Sequence, residues 1–347
     1  GLRFSNYKHV SGDSTSIKNN YVRTLFEDSR QNLLVGCIDG LMKYDSETDT
    51  FREIPMIRAG KRVFPHITQM QKLHNGEIWV VTTGQGIFRL DEEKQQAESI
   101  DAIMRQVNYN FLSNLYEDSD YNIWIGTEGF LFKYGITTKK LEQQPFLTGN
   151  SFKTLAIDNK GNLLIGTDVG LYVYDLISGK YKHIIHDSRN SQSLCNNVIW
   201  DITCDEKHNI WLATDRGVSL AQANADYRFI HLSEIVQVGD GNLFMHIYID
   251  SKDEYWLGGE NGLIHIKNKG GRYQVKWFQT KDAVYSLNHN HIRDIYEDRD
   301  RNIWIATDGS IARYDRDKDR FIYYSIQDKS GKKNANWAYG IYEDRHG

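Results

Sequence analysis

The chain has 347 residues, 40% of them hydrophobic and 12% aromatic, with only three prolines, which is enough apolar material for a large core. Its formal net charge is -4 with both signs interspersed, which argues against a nucleic-acid partner, since such a partner favours a basic face. The apolar runs are too short to span a bilayer, and three cysteines are no disulfide framework.

In chain order, Gly1–Phe4 does not read as a signal peptide, and any leader is taken to be already removed. Phe4–Val10 follows, and its Phe4-x-x-Tyr7 pattern reads as an outer strand. We expect it to close the array by pairing near Ile311–Tyr314. Ser16–Val22 is a polar loop leading into an inner strand, and similar stretches recur at Ser193–Val198 and Ser286–Ile292.

From there one unit repeats. Registered on a large apolar anchor, the copies centre on Leu34, Trp79, Trp124, Leu164, Trp211, Trp256 and Trp304, with steps of 45, 45, 40, 47, 45 and 48 residues. Six residues before each anchor stand Asp28, Leu73, Asp118, Asp158, Asp205, Asp250 and Asp298. The acid suits a turn, where it accepts backbone N–H groups. Asn32, Gly76, Asn122, Gly161, Asn209 and Asn302, just before the anchor, are the types that tolerate positive φ in a hairpin. Three residues after the anchor come Cys37, Thr82, Thr127, Thr167, Thr214, Gly259 and Thr307, then a glycine that opens the next hairpin. Runs such as Leu41–Tyr44 and Phe51–Ile54 supply the remaining strands. Four short strands in roughly 45 residues is the period of a propeller blade. The sequence thus predicts an all-β, seven-bladed β-propeller of four-stranded antiparallel blades over residues 1–326. Residues 327–347 read as the truncated start of a further repeat, with an inner strand at Trp337–Asp344. Large anchors at Trp124, Trp211, Trp256 and Trp304 are expected to be buried between blades.

Cys37 takes a threonine's place and reads as a buried structural thiol. Cys195 and Cys204 are nine residues apart, which leaves a disulfide between them open. No CxxC-type spacing points to redox or metal chemistry.

The unit Val198…Asp205-x-x-x-Asn209-Ile-Trp211-Leu-Ala-Thr214-Asp-Arg-Gly217, with its copies, resembles the two-component regulator propeller repeat; Glu117–Thr127 and Asp158–Leu171 fit that pattern closely. Departures are Leu34 and Leu164 for tryptophan, Gly259 for threonine, and Leu73 for the acid. The resemblance implies the periplasmic sensor region of an inner-membrane hybrid two-component histidine kinase. It implies an oligosaccharide ligand derived from a polysaccharide whose use is regulated, a second propeller in the same chain, and a homodimer in the full-length protein. No catalytic residue, cofactor or nucleic-acid contact is implied for this stretch, and the repeat motif carries no ligand residues.

Candidate ligand residues are therefore those that depart from the repeat. Trp200 lies in an inner strand where other copies have Arg23, Ser113, Lys153, Met245 and Arg293. Aromatic faces stack on sugar rings and arginine forks grip anions. Asn196, Asn197, Trp200, Asp215, Arg216, Asn290, His291, Arg293 and Trp337 make up a candidate rim. It is expected on the face of the outer-to-inner loops, opposite turns such as Ser29–Gln31. The competing reading packs Trp200 against a neighbouring blade and leaves the rest solvated. His289 and His291 share a strand face, but no third metal ligand is indicated. A propeller lyase or glycosidase, or a non-catalytic interaction scaffold, is the alternative. The chain shows no G-x-S-x-G, HExxH or P-loop pattern, and 46 acids make a chance carboxylate pair uninformative.

Overall fold

The computed structural model describes residues 5, 7–100, 103, 112–235, 242–270, 272–280, 287–324 and 337–344. It is a seven-bladed β-propeller of four-stranded antiparallel blades, and the chain divides into two compact units at Phe152/Lys153. In each blade the strands pair in sequence order from the inner strand outward. Leu232–Ile235 forms a short helix.

The first unit holds three blades. Blade 1 comprises Val22–Glu27, Leu33–Cys37, Gly40–Asp45 and Thr50–Ile54. Blade 2 comprises His66–Lys72, Ile78–Thr83, Gly86–Asp91 and Gln96–Ser99. A hairpin of Met56–Arg58 and Lys61–Val63 lies along its outermost strand, with Met56 opposite Ala97 in parallel register. Blade 3 comprises Leu112–Glu117, the long Asn122–Gly135, and the start of Lys140–Ile157.

The second unit holds four. The end of Lys140–Ile157 supplies the inner strand of blade 4, followed by Asn162–Thr167, Leu171–Asp175 and Tyr181–Ile184. Blade 5 comprises Ile199–Cys204, Ile210–Thr214, Gly217–Ala221 and Phe229–His231. Blade 6 comprises Phe244–Ile249, Tyr255–Gly259, Gly262–Lys269 and Arg272–Phe278. Blade 7 comprises Ile292–Glu297, Ile303–Thr307, Ile311–Asp315 and Arg320–Tyr324.

The repeat residues do the work their chemistry suggests. Asp118 Oδ1 accepts the backbone N–H groups of Asp120 and Asn122 at 3.0 and 2.8 Å, and Oδ2 accepts the indole N–H of Trp124 at 2.8 Å. The same indole bond ties Trp211 to Asp205, Trp256 to Asp250 and Trp304 to Asp298. Where Leu73 replaces the acid, Trp79 donates to Glu77 instead at 3.0 Å. Where Leu164 replaces the indole, the vacated carboxylate of Asp158 accepts the Tyr227 hydroxyl, contributed by blade 5. The hydroxyls of Thr82, Thr127, Thr167, Thr214 and Thr307 each donate to a carbonyl at the start of the next strand. Gly259 breaks this rule for a steric reason, since a Cβ there would lie 1.9 Å from the Leu243 carbonyl oxygen.

Several expectations are corrected. Positive φ falls three residues after the turn acid, at Gln31, Tyr121, His208, Asp253 and Arg301 as well as Gly76 and Gly161. The asparagines one position later instead donate their side-chain amides to the acid, as Asn302 does to Asp298 at 2.8 Å. Trp124, Trp211 and Trp256 are fully buried, but Trp304 is only partly so. Trp211 packs on Tyr255 and Trp256 on Tyr314, each an aromatic of the following blade, whereas Trp304 packs on Tyr324 of its own. Ala312 pairs with Tyr323, so Arg320–Tyr324 is the outer strand of blade 7, and Phe4–Val10 does not take that place. The described part of that leading segment belongs to blade 1. There the Tyr7 ring meets Phe51 edge-on at 5.1 Å and its hydroxyl donates to Asp49. All three cysteines are free: Cys37 buried, Cys195 half-buried, Cys204 exposed. Burial pushes the Cys37 thiol up to about 11, which keeps it protonated.

Residues 337–344 lie against blade 7. Ile341 N–H donates to Asp294 Oδ2 at 2.8 Å, as Ile247 N–H donates to Asp201 Oδ2 at 3.1 Å between blades 5 and 6. Glu343 accepts the Arg299 N–H, as Glu297 accepts that of Ser251. The segment thus makes side-chain-mediated bonds like those of an inner strand, but contrary to expectation it is not itself paired as a strand.

Candidate functional site

The loop face of each unit carries the connections from outer to inner strands. Just below it, the inner strands share an irregularity. The pairing register shifts between Val22/Thr24, Ile67/Gln69, Leu112/Asn114, Ile199/Asp201, Phe244/His246 and Ile292/Asp294. Each is a β-bulge, which re-aims the extra residue. In the second unit the bulge residues are Trp200, Met245 and Arg293. Position 200 was singled out for its variable residue type; the bulge explains why that position is free to vary.

Two of these bulge side chains reach the loop acid of their own blade. In blade 5 the Trp200 indole N–H donates to Asp215 Oδ1 at 2.6 Å, and the Lys153 ammonium rests 4.6 Å from the Trp200 ring centroid. Arg216, next to Asp215, is exposed. In blade 7 Arg293 grips Asp308 with both arms, Nε to Oδ1 at 2.6 Å and Nη2 to Oδ2 at 3.1 Å, and His291 Nδ1 stands 3.1 Å from the same Oδ2. Burial raises the Asp308 carboxyl, but the Arg293 bonds and charge outweigh it, so it sits below the ordinary range. Those bonds also raise Arg293. The guanidinium lies 5.3 Å from the Tyr339 ring centroid. His246, also on this side, is held neutral down to about 4 by burial and by His291 and Arg293.

The candidate rim therefore separates into two pairs and several residues with other duties. Asn197 Oδ1 accepts the His186 N–H at 2.6 Å, as Asn20 accepts that of His9 and Asn290 that of Thr280. Asn196 Oδ1 accepts the Val198 N–H at 2.8 Å. These asparagines fold one recurring loop, whose buried apolar residue is Ile17, Leu194 or Leu287. Trp337 is 56% exposed and opens the 337–344 segment, where its ring meets Tyr339 edge-on. Lys153, His246 and Tyr339 also stand at these two pairs, and nothing in their spacing points to them.

His289 Nδ1 accepts the His291 N–H at 3.1 Å, and among the described residues neither histidine belongs to a group of three metal-ligating side chains. A different trio, Asp250, Glu254 and His265, places one ligand atom each within 4.8 Å of the others. Arg316 already fills that place with Nη2 2.7 Å from Asp250 Oδ2 and Nη1 3.0 Å from Glu254 Oε2, and it reaches Glu297 at 3.4 Å. The fixed guanidinium supplies the countercharge a metal would bring, so the trio reads as an ion cluster joining blades 6 and 7.

The two-component regulator propeller family matches at residues 106–129, 193–216 and 286–309, starting in two cases at the recurring asparagine loop. These three stretches are two-component regulator propeller repeats. Among solved structures, it is 40–41% identical to an extracellular domain from B. thetaiotaomicron described in one case as a one component and in another as a hybrid two component system. The match covers 97–98% of this chain at a TM-score of 0.50. This chain spans 45% of that one's length. The extracellular domain of a second hybrid two component system from the same organism is 20% identical, with a TM-score of 0.54 over 94% of this chain and 54% of that one. Virginiamycin B lyase from Staphylococcus aureus shares the fold at 9% identity, with a TM-score of 0.52 over 87% of this chain and 95% of the lyase. No curated protein matches the chain. No helix among the described residues is long and apolar enough to cross a membrane.

Proposed function

We propose that this propeller is the ligand-sensing part of an extracytoplasmic region in a hybrid two-component system, and that it detects an oligosaccharide released from a polysaccharide whose use the system controls. The observation that carries this reading is the 41% identity over 97% of the chain to an extracellular domain described as that of a hybrid two component system. The loop face adds support. It combines an aromatic ring, fixed acids and an exposed arginine on variable positions of a rigid scaffold, where binding residues concentrate. The turn face is uniform because the repeat consumes its residues. Calorimetric titration of the complete extracytoplasmic region against defined oligosaccharides tests the reading. Saturable binding with an affinity in the micromolar range or tighter supports it. A region that binds no glycan, in a host whose polysaccharide response survives deletion of the propeller, overturns it.

A further inference from the structure

The two acid–donor pairs of the loop face differ in how much bonding capacity they have left. In blade 7 both oxygens of Asp308 are committed, Oδ1 to Arg293 Nε and Oδ2 to Arg293 Nη2 and His291. The Arg293 fork is likewise turned onto Asp308. A carboxylate has about four lone-pair sites; the bidentate arginine takes one on each oxygen, and the His291 ring nitrogen, 3.1 Å from Oδ2, crowds another. In blade 5 the pairing is sparser. Trp200 is a single donor and occupies only Asp215 Oδ1. Among the described residues no partner holds Asp215 Oδ2 or the exposed Arg216 guanidinium.

Resting on the sensing function proposed above, we propose that the saccharide contact of the second unit is at blade 5, and that Trp200, Asp215 and Arg216 take a neutral sugar ring through two adjacent hydroxyls. Asp215 Oδ2 accepts one hydroxyl proton and Arg216 donates to the neighbouring oxygen. Trp200 holds the carboxylate in place, so little side-chain freedom is lost on binding. Lys153 lies over one side of the half-buried Trp200 ring, so only the remaining surface of the ring meets the C–H groups of the sugar. Asp215 and Arg216 carry opposite charges side by side, so the pair has no net positive charge to offer a carboxylate- or sulfate-bearing sugar. Blade 7's pair fixes its loop and does not contact the ligand.

Titration of the complete extracytoplasmic region with neutral gluco-, manno-, xylo- and galacto-oligosaccharides, and with oligogalacturonate and sulfated chondroitin oligosaccharides, tests this. We expect a neutral ligand whose affinity falls about tenfold or more in Asp215→Ala and in Arg216→Ala, the loss of one good hydrogen bond each. Asp308→Asn is expected to keep the affinity within about twofold. Arg216 is exposed, so its variant reports on binding even if a change at Trp200 disturbs folding. Retained affinity in both blade 5 variants overturns the inference, as does an equal loss in Asp308→Asn or a preference for the acidic sugars; each leaves the sensing function standing. Binding of none of these sugars counts against the sensing function itself.

Discussion

A single side chain in this repeat can be judged by what its turn acid still needs. Asp205 and Asp250 each take an indole N–H from a fully buried tryptophan. Removing that ring leaves a cavity and takes one donor from a carboxylate that keeps others, Asn209 and Tyr255 on Asp205 and Arg316 on Asp250. Trp211→Ala and Trp256→Ala are therefore expected to cost about 3–5 kcal/mol in chemical denaturation. Trp304→Ala should cost clearly less, because that ring is partly exposed and, among the described residues, its ring contacts are with Tyr324 and Arg313 of its own blade. Gly259→Thr restores the commonest residue of its column yet is expected to destabilise, since its Cβ has no room beside the Leu243 carbonyl. A variant with an unchanged or raised melting temperature would contradict this. Titration offers a second handle. Burial raises Asp201 to about 6, so the folded state favours its protonated form. Its contribution to stability is full below the ordinary carboxylate range and is lost as pH climbs from about 4 to 6. His246 runs the other way: held near 4, it contributes above the ordinary histidine range and loses that as pH falls from about 6.5 to 4. Asp201→Asn, which keeps an acceptor for the Ile247 N–H, should raise stability at pH 7 and leave the His246 slope exposed in the pH profile. A profile unchanged between pH 4 and 6.5 would count against it.

At the scale of the element, the repeat unit was legible because each of its columns answers a backbone need. The acid, anchor and threonine columns place the four strands within a residue or two. What could not be read was the bulge, since a one-residue register shift leaves no compositional mark; it is the bulge that turns Trp200 and Arg293 towards their loop acids. Asn197 illustrates the opposite failure. It looked like a rim residue, but it is the same loop-folding asparagine as Asn20 and Asn290. Its resemblance to the Ser16–Val22 stretch was the available clue. Asn20→Ala, Asn197→Ala and Asn290→Ala should accordingly have similar costs, about 0.5–2 kcal/mol each, as for a lost cap. None should change ligand affinity. Unequal costs, or a binding defect confined to Asn197→Ala, would return that residue to the site.

On the scale of the whole molecule, the count of seven blades followed from the repeat period, but the treatment of the ends did not. The outer-strand pattern of Phe4–Val10 says that a strand is amphipathic, not which edge it joins. The described residues from Tyr7 onward settle on blade 1, and blade 7 completes itself with Arg320–Tyr324. Residues 337–344 hold blade 7 by the bonds to Asp294, Tyr296 and Arg299. Deleting 337–347 should therefore speed amide exchange along Ile292–Glu297, while the strands of blade 2 keep their protection. Unaltered exchange in Ile292–Glu297 would mean that this docking contributes nothing to stability.

The Tyr227–Asp158 contact has a consequence for how such an array can change over time. A blade that has lost its indole survives here because the next blade supplies a hydroxyl, and the Arg316 cluster ties blade 7 to blade 6 in the same way. Units that began as interchangeable duplicates have become particular to their neighbours. Exchanging blades 5 and 6 would keep every repeat motif intact, yet it would strand Asp158 without Tyr227 and Arg316 without Asp250. The order of the copies has become part of the information the chain must preserve.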